Sequence, residues 1–125
     1  MSKQLVEIVL PRLAQRLQRQ LQRYRAGELN ENEFTKRFEG LLQKQYAWLS
    51  DRGVPEEEAA LAIHGAVLVL SGPGLRAEAE ETGTPLEIVE HRAVCAAAAD
   101  IAGNYDVDVR DTTRRISSIL ARYGE

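Results

Sequence analysis

The chain has 125 residues, 44% hydrophobic and 28% charged, with a net charge of −3. That size fits one domain with its own core, and a single cysteine excludes an internal disulfide. The N-terminal apolar run, Leu5 to Leu10, is broken by Glu7 and lacks the longer apolar region and cleavage site of a secretion signal.

The charge is unevenly spread. Residues 1 to 52 carry ten Lys or Arg against six Asp or Glu, while residues 53 to 125 carry six against thirteen. The halves are therefore basic and acidic, an arrangement that either steers a partner or a second copy into register or is simply a solvated surface.

Strand signals are absent, since the one short alternation, Val107 and Val109, sits in a linker. The first helix is expected from Ser2 or Lys3 to Arg25, with Leu10, Leu13, Leu17, Leu21 and Tyr24 at helical spacing. Pro11 either kinks it or opens its main part. Ala26 to Asn30 form a turn, after which Asn30 and Glu33 make a capping box for a second helix running to about Arg52. Gly53 then supplies a left-handed C-terminal position. Phe34, Phe38, Leu41 and Trp48 line one row of that helix, and Phe38, Leu42, Tyr46 and Leu49 an adjacent one. A face that wide predicts two neighbours. The first two helices should pair as an antiparallel hairpin.

A third helix opens at Pro55, with Glu56, Glu57 and Glu58 complementing its dipole, and ends at Ser71-Gly72-Pro73-Gly74. A short fourth covers about Leu75 to Thr82. The fifth runs from a Thr84 cap to about Ala102, ended by Gly103-Asn104, and the sixth starts near Asp108. Ile116, Ile119, Leu120 and Tyr123 share one side of the sixth. Two segments, Ala59 to Leu70 and Ala93 to Ala99, are apolar on every side and call for cover all round. The first is too short to span a bilayer. The expected fold is all-α: a single compact bundle of five or six helices, with the hairpin packed on a core of helices 3 and 5.

No constellation requires a particular chemistry. Arg12, Arg16, Arg19 and Arg23 fall on one face of the first helix. Such a row either tracks a phosphate backbone or pairs with acidic residues of the second half or of a second copy. The only aromatic near it in sequence is Tyr24, a poor stacking platform. Leu75 to Val94 fits a helix-turn-helix only at Ala79, Gly83 and Val89, and its would-be recognition helix carries Glu87 and Glu90. Glu87, His91 and Cys95 form a four-residue-spaced row that His64 could complete as a metal site, without any C-x2-C or H-E-x-x-H signature. Cys95 reads more simply as an enclosed small hydrophobe without substrate access. Ser71-Gly72-Pro73-Gly74 lacks the lysine of a phosphate-binding loop, and Glu57, Glu80, Glu81 and Asp100 have no Glu-x-x-His companion.

The functional expectation is a small cytoplasmic protein–protein interaction module, an adaptor or a homodimer, needing no cofactor and no membrane. Tyr24, Tyr46 and Trp48 are its candidate anchors, expected in one half of the hairpin. The alternative is a nucleic-acid-associated protein using the arginine row. A small-molecule binder or enzyme in the helix 3 and helix 5 core comes third.

Overall fold

The computed structural model describes the backbone of residues 2–123 and the side chains of residues 4–123. These residues form six helices and no strand: α1 (Ser2–Arg25), α2 (Glu31–Asp51), α3 (Glu56–Leu70), α4 (Gly72–Thr82), α5 (Leu86–Tyr105) and α6 (Val109–Tyr123). The fold is all-α, as the spacing of apolar residues predicts. Contacts divide the chain into two compact units, Met1–Ala66 and Val67–Glu125.

In the first unit α1 pairs antiparallel with α2. It runs through Pro11 as one helix and buries Leu10, Leu13 and Leu17 along a single stripe. Gly27, at a φ of +81°, turns the chain out of α1. The Glu28 N–H reaches the Arg23 carbonyl and the Gly27 N–H the Tyr24 carbonyl, closing a Schellman motif. Asn30 then accepts from the Glu33 N–H at 2.8 Å while the Glu33 carboxylate accepts from the Asn30 N–H at 3.2 Å, the expected capping box.

The far end of α2 repeats the device. Gly53 has a φ of +78°, and the Val54 N–H bonds the Leu49 carbonyl. Here the accompanying contact is apolar, because Val54 and Leu49 lie in one buried cluster with Val6, Val9, Ala59 and Ala62. Leu5 and Tyr46 pack against that cluster. The start of α3 is thus part of the hairpin's own core.

In the second unit α5 packs chiefly on α6 and also on α4. α5 buries Val89, Val94, Ala98 and Ile101, and α6 buries Thr112 and Ile116 with Ile119, Leu120 and Tyr123 half-covered. Of the two helices expected to share a centre, α3 packs its first turns in the hairpin cluster and α5 packs on α6 and α4.

Several boundaries differ from the sequence reading. α4 already begins at Gly72, so only Ser71 separates it from α3, and Pro73 sits in its first turn where a missing N–H costs nothing. Thr84 does not cap α5. Its hydroxyl is engaged with the Thr82 hydroxyl at 2.9 Å, and Pro85 holds the cap position with no side-chain bond. Gly103 and Asn104 continue α5 to Tyr105, and Asp106, at a φ of 50°, supplies the left-handed residue instead. Asp108 caps α6, its carboxylate accepting from the N–H groups of Arg110 (2.7 Å) and Asp111 (3.1 Å).

The alanine run of α5 is also not covered all round: Ala96 and Ala99 are exposed.

Candidate functional site

The hairpin leaves one face open, and a groove of about 240 Å³ runs along it. From α1 it is lined by Ile8, Val9, Arg12 and Arg16, and from α2 by Leu41, Lys44, Gln45 and Trp48. These residues recur every three or four positions on each helix, the spacing that aligns side chains on one face. Val9 is buried, while Ile8 is 50% and Trp48 37% exposed, unusual for side chains that gain by leaving water.

The electrostatics of the groove are one-sided. Arg12, Arg16 and Lys44 are all exposed, no lining residue is acidic, and none of the three pairs with a carboxylate among the described residues. A fourth cation joins at the Trp48 end. The Arg52 guanidinium lies 3.6 Å from the centroid of the Trp48 ring, and its Nη1 donates to the Trp48 carbonyl at 3.1 Å. One face of the indole is therefore occupied.

The arginine row does not act as a unit. Arg12 and Arg16 face the groove, Arg19 is exposed outside its lining, and Arg23 bonds Glu28 of the adjoining turn through Nε at 3.3 Å. The expected aromatic grouping is not formed either. Tyr24 stacks on Phe34 near the turn, with ring centroids 4.9 Å apart, whereas Tyr46 and Trp48 lie at the other end beside Val6, Val9 and Ile8. Antiparallel pairing forces this, because residues just before the turn meet those just after it. Tyr46 joins the core cluster, and Trp48 alone enters the groove.

Ile8 and Lys44 were not singled out from the sequence, and Leu41 only as a member of the apolar row that ends at Trp48. The signal existed: the turn at Ala26 to Asn30 sets the register of the hairpin, and reflection through it places Ile8 opposite Trp48.

Elsewhere, His91 and Cys95 meet, with Nε2 and Sγ 3.4 Å apart. Cys95 is half-buried and His91 exposed, so this thiol is not enclosed as its alanine surroundings suggested. Among the described residues no group of three or more His, Cys, Asp or Glu side chains is placed to hold a metal ion. No single described helix is long and apolar enough to cross a membrane. Comparison with protein families, curated proteins and solved structures gave no match.

Proposed function

We propose that this chain is a protein–protein interaction module that docks through the α1/α2 face in a cytoplasmic setting. The observation that carries the reading is the pairing of exposed Ile8 and Trp48 with unpaired Arg12, Arg16 and Lys44 in one groove. Tryptophan and arginine dominate binding energy at protein interfaces because they bury large area and still satisfy polar partners. A two-fold contact of this face with itself would bring like cations together, which favours a different chain as partner over a homodimer.

The test is native mass in fresh lysate under gentle conditions. The wild-type chain should run well above its 13.9 kDa monomer. Ile8→Asp with Trp48→Ala should return it to monomer size, and Ile88→Asp, at an exposed position of α5, should not. Monomer mass for the wild type removes the reading.

One observation favours a second reading, nucleic-acid binding: the hairpin brings exposed Trp48 beside Arg12 and Arg16, an aromatic the sequence did not place there. That reading requires affinity to fall with salt at a log–log slope of about −3 for three or four phosphate contacts.

A further inference from the structure

The groove is not uniform along its length. Ile8 and Trp48 make an apolar end, and Arg12 and Arg16 follow at one and two turns along α1, with Lys44 one turn from Trp48 on the facing helix. A ligand that satisfies both parts carries an apolar side chain at one end and negative charge one to two turns away. Side chains at such intervals lie on one face of a helix, and helix-in-groove docking is a recurrent mode of peptide recognition.

We propose that the groove binds an acidic amphipathic helix of a partner protein, an inference that rests on the docking function above. An apolar side chain of that helix seats between Ile8 and Trp48, and its carboxylates face Arg12, Lys44 and Arg16. The stretch from Ile8 to Arg16 rises about 12 Å at ~1.5 Å per residue, so the bound segment is about two to three turns long.

Charge complementarity selects this occupant. The groove offers cations with no internal carboxylate to release, so an acidic segment gains their pairing without breaking another. A phosphate backbone would meet the cations but leave Ile8 with nothing apolar to bury it. Stacking of bases on Trp48 is hindered on the face that Arg52 covers.

Trp48 is the only tryptophan, so its emission reports on the groove directly. The full chain is titrated with a synthetic helical peptide carrying glutamates on one face and leucine at one end. The same peptide with lysine for every glutamate, a scrambled peptide and a single-stranded oligonucleotide are run beside it. Only the acidic helix should give a saturable blue shift, weakening as salt rises. The double variant Arg12→Glu/Arg16→Glu should lose about tenfold or more in affinity for it and acquire binding of the lysine peptide. Arg92→Glu, exposed on α5, should change neither, and circular dichroism checks that each variant is folded.

Equal response to acidic and basic peptides, or no effect of the double variant, overturns the acidic partner and leaves docking standing. A blue shift that grows with protein concentration alone, with a dimer mass, assigns the groove to a second copy and overturns the inference. Response to the oligonucleotide alone overturns the inference and the docking function together, whereas response to no probe at any concentration overturns the inference and leaves the docking function to the native-mass test.

Discussion

The two segments that lack a polar face in the sequence, Ala59 to Leu70 and Ala93 to Ala99, have different fates. In α3, Ala59, Ala60, Leu61, Ala62, Ala66 and Leu68 are all buried. In α5, Val94 and Ala98 are buried, but Ala96 and Ala99 face solvent. The difference lies in what each segment loses by exposure. α3 also carries Ile63, Val67, Val69 and Leu70, and burying side chains of that size is worth about 1.5–3 kcal/mol each. An alanine methyl is worth only about 0.8 kcal/mol, so nothing compels a neighbour to cover every alanine. An alanine run therefore marks a helix that tolerates close approach, and the larger residues mark which side is approached. In α5 those are Val89, Val94 and Ile101.

The largest effect should come from filling α3. Ala62 is fully buried in the cluster with Val6, Val9 and Leu49. Ala62→Leu should overpack it and cost about 1–3 kcal/mol, read as a lower midpoint in denaturant. An unchanged midpoint would mean that α3 is no better covered than the exposed side of α5.

The helix starts allow the same contrast to be drawn between the two units. Asn30→Ala removes one half of a reciprocal cap and should cost about 1 kcal/mol. Thr84→Ala removes no cap bond from α5 and should stay within about 0.5 kcal/mol. Equal losses at both positions would show that the Thr82–Thr84 hydroxyl contact orders the start of α5 as well as a cap does.

Local devices were legible in the sequence. The Asn30–Glu33 box, the left-handed Gly53 and the start of α6 each depend on residues within one turn of each other, so short-range chemistry decides them. The end of α5 was misread for the same reason. Gly103 and Asn104 punctuate a helix by propensity, but a helix that packs on α6 can carry both through its last turn. The groove was least legible. It consists of residues from two helices, and neither the leucine stripe nor the aromatic rows indicate which residues face each other until the register is drawn through the turn. Arg12 and Arg16 were visible as a row, but their neighbours Ile8, Lys44 and Trp48 are distant in sequence.

A smaller effect concerns acid. Backbone N–H bonds from Asp111 and Arg110 hold the Asp108 carboxyl below the usual aspartate range. Its contribution to the start of α6 is therefore full above the unfolded value of about 3.9 and is lost as the pH falls through the lower folded value. Asp108→Asn can still cap but cannot titrate. The wild-type thermal midpoint should therefore fall relative to the variant's as the pH drops below ~4, and a difference that stays constant with pH would refute the assignment.

The smallest expected effect bears most directly on the two alanine runs. Ala96→Leu places a large side chain on a position that is exposed in α5. Leucine follows alanine closely in helix propensity, so the change should stay within about 0.5 kcal/mol. Ala98→Leu, two residues further along the same helix, is the control, because Ala98 is fully buried and lies toward the opposite side. It should behave like Ala62→Leu and cost about 1–3 kcal/mol. Propensity and sequence neighbourhood are nearly the same at the two positions, so the gap between the variants isolates burial. If Ala96→Leu costs as much as Ala98→Leu, the exposed side of α5 is covered after all. If neither costs anything, the α5–α6 contact is too loose to count as a core.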